Sequence, residues 1–351
     1  MALHFDFSPD QRMLADSLRR VLADGKGTTL PEIAVALARQ GVFEVMLGED
    51  HGGLGLGLTD ALVLSIEIGR AGVDFPASET MLAVPLVARL RPDVLADALE
   101  GRAIVTMAAS GQAKAARERD HWRLSGEVWA PFARETRLVA VPVGEGRATV
   151  IDLTARGVTV EEAVAFDPAG PMASVRFDLT YTADAIVADP LSMKAAVLAC
   201  GEMTGAAEVC LERGVQHLRE RVQFDKPLGA NQVLRHAVAD DWLRVQGMQA
   251  ACEYAAAAFD LAQEDAAHAA SVAKAYCSQA GRKVAESTIH IHGGMGFTWD
   301  AGLHLPLRRI MRLAASYGTA GEHFDSIARD LVAANTERKE RPCSSKNFAS
   351  M

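Results

Sequence analysis

Between Ala103 and Leu179 the spacing of apolar residues changes, and this change restricts the possible folds more than any other feature of the chain. On either side of it apolar residues recur every three or four positions. Within it come short β-branched or alternating runs at Ala103–Ala108, His121–Leu124, Leu138–Val143, Ala148–Leu153, Gly157–Val160 and Ser174–Leu179, parted by Gly, Pro and charged turns. Alternation sends successive side chains to opposite faces, so these runs read as strands of an antiparallel barrel or sandwich. Helices, then strands, then helices is the order of an α+β protein with segregated layers. The units expected are an N-terminal helical domain over 1–98, a middle β domain over 99–189 and a C-terminal helical bundle over 190–335. A charged, apolar-poor tail over 336–351 is expected to be disordered.

Local signals place the first helices. Ser8-Pro9-Asp10-Gln11 combines a serine cap, a proline at the first helical position and a glutamine three residues after the cap. Met13, Leu14, Leu18, Val21 and Leu22 then share a face, and Gly25 marks the stop. A second helix is expected from near Pro31 to Gly41, and a glycine-dense loop, Gly48 to Gly57, leads into a third from Thr59 to Gly69. Glycine loops before helices can cradle phosphate. This one has no preceding strand and no lysine after its last glycine, so it reads as a joint.

Composition removes several functions. Lys+Arg 36 against Asp+Glu 45 gives a net charge of -9, which offers no polyanion-binding surface, so nucleic acid is not an expected partner. Cys200, Cys210, Cys252, Cys277 and Cys343 show no CxxC spacing, so no metal centre is expected and the thiols read as free in a reducing compartment. No apolar run approaches the roughly 20 residues of a membrane span. The N-terminus carries charge and lacks an apolar signal segment, and a cytoplasmic location is expected.

Two stretches carry chemistry. Ile289 to Thr319 leaves a helix through Gly293, Gly294 and Gly296, passes Thr298-Trp299-Asp300 and restarts as a basic helix with Arg308, Arg309 and Arg312. A Gly-Gly-x-Gly bend lets backbone approach a flat or phosphorylated ligand, because no Cβ stands in the way. The same glycines also serve as an ordinary helix C-cap and loop. In Arg221-Val-Gln-Phe-Asp-Lys-Pro-Leu-Gly229, the guanidinium fork suits a pyrophosphate and Phe224 can stack on adenine. The bland counterpart is an exposed Arg and a core Phe at a helix turn.

Both blocks, in this order, resemble the acyl-CoA dehydrogenase family. The first is similar to its His/Gln-x-x-Gly-Gly-x-Gly-Phe segment, which lies against FAD, and the second, with Gln232 and His236, to its other strong signature. The resemblance implies FAD as cofactor, with Arg221, Gln223, Phe224, Gln232, Leu234, His290, Gly293, Gly294 and Thr319 as binding residues. It implies an N-terminal helical domain, a middle antiparallel β domain and a C-terminal four-helix bundle. It further implies α,β-dehydrogenation of an acyl-CoA, with electron-transfer flavoprotein as electron acceptor.

Departures lie inside the match. The family's catalytic glutamate precedes a Gly-Thr pair; here Ser316-Tyr317-Gly318-Thr319 puts Tyr317 in that place, so no catalytic residue is assigned. The family's Thr-Glu-Pro-x-x-Gly-Ser-Asp run is represented by Thr106-Met-Ala-Ala-Ser-Gly-Gln112, without the acid, the proline or the final aspartate. Its Asn-Gly-x-Lys-x-Trp-Ile-Thr hairpin becomes Ser125-Gly-Glu-Val-Trp-Ala-Pro131, where Trp129 covers a flavin or simply fills core. Met193-Lys-Ala-Ala196 replaces charged residues near acyl-CoA.

The reaction needs a base at the α-carbon, and an unperturbed phenol, near pKa 10, is a poor one at neutral pH. Glu322 and Glu202 are the candidates for a displaced base, and both read more simply as helix-surface or interface acids. The expectation is therefore a subunit of a heteromeric acyl-CoA dehydrogenase, a heterotetramer with a paralogous partner that owns the base. The family's heteromers in steroid side-chain degradation point to that substrate class. A self-sufficient homo-oligomer with a displaced base is the alternative, and a flavin-free structural relative is the third reading.

Overall fold

The computed structural model describes residues 7–24, 29–144, 146–163, 166–168, 170–182 and 184–340. Five helices come first: α1 (Pro9–Asp24), α2 (Leu30–Arg39), α3 (Leu58–Ala71), α4 (Ala77–Leu90) and α5 (Pro92–Leu99). Eight strands follow: β1 (Val105–Met107), β2 (Ser110–Glu118), β3 (His121–Pro131), β4 (Leu138–Pro142), β5 (Arg147–Asp152), β6 (Val158–Glu162), β7 (Met172–Thr182) and β8 (Val187–Ala188). The last part holds α6 (Leu191–Glu220), a tight hairpin of β9 (Val222–Gln223) and β10 (Lys226–Pro227), then α7 (Gln232–Asp260), α8 (Ala266–Ile291), α9 (His304–Ala315) and α10 (Ala320–Glu340).

The helix starts follow from local chemistry. At α1 the Gln11 amide donates to Ser8 Oγ at 3.1 Å while the Ser8 amide donates to Gln11 Oε1 at 2.9 Å, the reciprocal box that the sequence encodes. The expected stop at Gly25 lies outside the described residues. The Gly48–Gly57 loop is a joint, tied by the Gly55 amide to Leu47 O at 2.8 Å. α3 is capped from far along the chain: Asp260, the last residue of α7, accepts from the Leu58 and Thr59 amides at 2.6 and 2.9 Å. A carboxylate there also meets the positive end of the helix dipole.

The strands make two four-stranded sheets, ordered β1-β4-β5-β8 and β2-β3-β7-β6, facing each other as a sandwich. Pairing is antiparallel except that β1 lies parallel to β4, because the chain leaves β1 for the other sheet before returning. Strand β2 lies between the runs read as strands from the sequence, which end at Ala108 and resume at His121. It runs to Glu118 with its polar, largely exposed residues at the sheet edge. Its charged residues protect an edge that would otherwise offer unpaired backbone to another strand.

Two hydrophobic cores result. One lies inside the sandwich, around Leu124, Val139, Ile151 and Val175. The larger is shared by α3, α4, α6, α7 and α8 and takes in one face of β1, β4 and β5. Its tightest contact is α3 against α6, where a Cβ on Gly69 would stand 2.1 Å from Glu202 O and one on Gly205 would stand 2.0 Å from Ile66 O. Only residues without side chains allow this crossing.

α10 continues through 336–340, so these positions are helical, in contrast to the tail expected from composition; 341–351, including Cys343, lie outside the described residues. Cys200, Cys210, Cys252 and Cys277 are buried free thiols, and burial pushes Cys210 up to about 12, so it stays protonated and inert. Among the described residues no helix is long and apolar enough to cross a membrane, and no group of three or more His, Cys, Asp or Glu is placed to hold a metal ion.

Candidate functional site

The residues expected to touch a cofactor fall into two groups at opposite ends of α8. At its C-terminal end, α6 stops at Glu220 and Arg221 enters the hairpin, whose tip sets Phe224 and Asp225 at φ of 53° and 59°. That left-handed turn throws Phe224 outward, 92% exposed. The core placement open to this Phe is thus overturned: the backbone turns away from every apolar neighbour. Arg221, Gln223 and Gln232 are exposed as well, while Leu234 is half-buried on the first turn of α7.

Gly293 and Gly294 lie beside this hairpin. His217, one turn before Arg221, stacks on His292 with ring centroids 4.2 Å apart, which ties the end of α6 to the end of α8. A Cβ on either glycine would meet nothing within 4 Å, so both present open backbone. Gly293 has φ of 60°, and His290 is exposed on the last turn of α8. Met295, Phe297 and Trp299 add exposed apolar surface, with Arg308 over the Trp299 ring at 5.3 Å. Exposed Arg, Gln, aromatic ring and bare glycine backbone form a donor set that suits a dinucleotide's pyrophosphate and adenine.

The second group sits near the other end of α8. Lys274, fully buried, donates from Nζ to Gly318 O at 2.8 Å and Ala314 O at 3.1 Å, capping α9 and holding the turn after it. Burial lowers the Lys274 pKa. His323 Nε2 donates to Tyr317 O at 3.0 Å, and the Tyr317 amide donates to Ala109 O at 2.6 Å. Thus pinned, Tyr317 takes a left-handed φ of 56° and turns inward.

Its phenol donates to Glu79 Oε1 at 2.8 Å. Burial, then the nearby Glu79 carboxylate, hold the phenol well above its ordinary pKa. Glu79 and Glu202 line the chamber that Tyr317 closes, together with Leu82, Met107, Leu198 and Leu313; it has no space for a water molecule. Glu202 accepts from Ser78 Oγ at 2.6 Å and is 5% exposed. Of the two sequence readings of Glu202, a helix-surface or an interface acid, the first is corrected: α6 has no solvent face at this height, because α3 and α4 cover it. Burial, and next the charge of Glu79, push Glu202 up to about 7.

Glu322 remains an exposed acid, whose carboxylate caps α10 by accepting from the Thr319 amide at 2.7 Å; this hydrogen bond lowers its pKa. Thr319 itself is exposed. Tyr317 and Gly318 also line a neighbouring open pocket of about 330 Å³, with Ser110, Ser192, His323 and Arg329. Thr106 does not face it in the manner of a cofactor-contacting hydroxyl: it is fully buried, without a hydrogen-bond partner among the described residues. Trp129 is 38% exposed, paired in register with Ser110 and Ser174, so it is not core.

The two groups cannot serve the same end of a ligand. His292 and Lys274 are eighteen positions apart along α8, about 27 Å at the helical rise. Sequence reasoning singled out the residues of the outward group and the Tyr317 position. It missed Glu79, Lys274 and the burial of Glu202 and Arg309; for Glu79, Lys274 and Glu202 the available signal was a charge within an apolar or alanine-rich stretch of helix.

Comparison with known proteins gives a consistent likeness. The family model described as "Acyl-CoA dehydrogenase, C-terminal domain" matches residues 187–332. Acyl-CoA dehydrogenase IpdE2 of Mycobacterium tuberculosis is 28% identical over 309 residues, 84% of this chain and 84% of its own length. A variant of the Tcur3481-Tcur3483 steroid ACAD superposes with a TM-score of 0.83 at 24% identity, covering 93% of this chain and 99% of that one. The ChsE4-ChsE5 complex from Mycobacterium tuberculosis gives 0.82 at 20% identity, over 94% and 99% of the two chains.

Proposed function

Since the chain belongs to the acyl-CoA dehydrogenase family, we propose that it is the base-lacking subunit of a heteromeric, FAD-dependent member, lending binding residues to a flavin seated mainly in a paralogous partner. The observation that carries this reading is the closed chamber behind Tyr317. Where a carboxylate base would face the thioester's α-carbon, this chain has a buried phenol already donating its proton to Glu79. Such a group takes up no proton from carbon near neutral pH.

The outward group fits the cofactor; the inward one does not accommodate the acyl substrate. Arg221 would clamp the pyrophosphate, Gln223 and Gln232 would add polar contacts, Phe224 would cover the adenine, and Gly293 and Gly294 would let the dinucleotide lie against backbone. Bound FAD supplies the hydride acceptor of acyl-CoA oxidation. This chain's residues bind and orient it and shield it from water. A displaced base is disfavoured on the same geometry, since Glu202 is sealed from any ligand and Glu322 is engaged as a helix cap. The names of two solved relatives describe two-protein assemblies and one of them a steroid ACAD, which supports a paralogous partner and a steroid-derived acyl-CoA as the substrate class. Electron-transfer flavoprotein is the acceptor that fits this chemistry.

The test is flavin absorbance of the chain purified alone and co-purified with a paralogous acyl-CoA dehydrogenase subunit. Little FAD alone, and about one per unlike pair in the complex, is expected. Full occupancy with turnover by the isolated chain would exclude the proposal.

Arg221 gives a narrower expectation. In the complex, Arg221→Ala removes a charge-assisted bidentate contact, so FAD affinity should fall roughly ten- to a hundredfold, with the denaturation midpoint unchanged. An unaltered affinity, measured by flavin release on dilution, would return Arg221 to an ordinary surface residue.

A further inference from the structure

The chamber behind Tyr317 brings together carboxyl groups from two helices far apart in sequence. Glu79 enters it from α4 and Glu202 from α6, while α9 adds nearby charge from Arg309, buried, and Arg312, half-buried. Ser78 of α4 donates to Glu202, and Ser65 of α3 lies 3.0 Å from Ser78 Oγ. Behind the guanidiniums, Asp167 accepts from Arg312 Nε at 3.0 Å and stands 3.9 Å from Arg309 Nε. Asp74, exposed at the rim, stands 3.8 Å from Arg309.

Two guanidiniums face three buried carboxyl groups, Asp167, Glu79 and Glu202. Glu79 and Glu202 share a chamber with no space for water, so a proton on Glu202 spares the chamber the charge of a buried carboxylate. Removing that proton puts negative charge into a space with no water, beside Glu79, which already accepts from Tyr317.

Tyr317 is the wall that can yield. It lines both the chamber and the open pocket of about 330 Å³, and its left-handed backbone departs from the conformation an L residue prefers. We infer that Glu202 is a proton-operated latch: while its carboxyl is protonated Tyr317 stays docked, and loss of the proton releases the Tyr317 turn and joins the chamber to the open pocket. Water or a small cation entering through the turn would then reach the two carboxylates. The latch works near neutrality, because burial and Glu79 raise Glu202 to about 7 against the opposing pull of Arg309, Arg312 and Ser78.

The inference concerns the chain itself and needs no flavin, so its outcome is independent of the heteromer reading. Amide hydrogen exchange of the segment 313–319 is compared in the full-length chain and in Glu202→Gln at pH 6 and pH 8. Equal exchange is expected at pH 6, and roughly tenfold faster exchange in the native protein at pH 8, in keeping with a one-unit excursion beyond the titration. Tyr317→Phe, which cannot donate to Glu79, should exchange fast at both values.

Thermal stability gives the second readout. The folded pKa is raised above the ordinary 4.5, so stability is fully present below the unfolded value and falls as pH rises towards about 7. Glu202→Gln lacks this loss, so its Tm advantage should widen from pH 5 to pH 7 and then stay level. Equal exchange at pH 8, or a Tm difference independent of pH, would overturn the latch.

Discussion

Exchanging Gly205 for valine is expected to leave the chain unfolded or aggregated, and even Gly205→Ala should cost several kcal/mol, at or above the upper end of the ~1–3 kcal/mol typical of overpacking. A Cβ at this position would stand 2.0 Å from Ile66 O and 2.8 Å from the Arg70 amide nitrogen, both backbone atoms of α3. Backbone cannot swing aside as a side-chain tip can. Nor can α3 back away as a unit, since Leu58 to Gly69 is almost wholly buried and Asp260 pins its first turn. With net stabilities of only about 5–15 kcal/mol, a larger side chain at the crossing removes most of what holds the fold. The urea midpoint of Gly205→Ala measures the effect; a midpoint equal to that of the native chain would show that the helices are not in the contact described.

Arg312→Met should be nearly as damaging, by about 3–5 kcal/mol, because it breaks a buried pair from one side only. Asp167 is 1% exposed and accepts from Arg312 Nε at 3.0 Å, so the substitution takes the nearer guanidinium from a buried carboxylate, Arg309 Nε standing 3.9 Å away. Changing Asp167 to Asn at the same time should recover part of the loss, as expected when two residues act on each other rather than independently. Denaturant unfolding of the two single variants and the double variant closes the cycle. Additive losses would mean that the pair is not coupled.

These two sites differ in how far the sequence discloses them. Periodicity shows α3 and α6 as helices, but it does not show which glycines face each other across 136 positions, from Gly69 to Gly205. The order of helices, strands and helices is readable because spacing is a local property. Strand β2 is not, since Ser110–Glu118 is polar and exposed and is held as a strand by its neighbour β3 along its whole length. The parallel pairing of β1 with β4 is likewise set by where the chain goes next, which no alternation pattern contains.

The site divides in the same manner. Arg221, Phe224, Gly293 and Gly294 stand in contiguous motifs, and the absence of a glutamate at Tyr317 is visible by position alone. Glu79, Glu202 and Lys274 sit in helices apolar on nearly every side, and a charged residue is by default assigned to solvent. A helix that is apolar all round has no solvent side to offer, and that is the clue to a buried charge. What the charge does there follows only from the partners that folding brings to it.

The shared helical core also sets a timetable for synthesis. α3 buries most of its surface against α6, yet about 120 residues separate Ala71 from Leu191. At roughly 5–20 residues per second, a ribosome needs about 6–24 s to deliver the partner after α3 has been made. During that interval the strands can close their own core, while Leu62, Ile66 and Gly69 wait uncovered. The nascent chain is therefore most exposed to misassociation early, through its N-terminal helices, and a trigger-factor-type holdase would act there rather than on the strands.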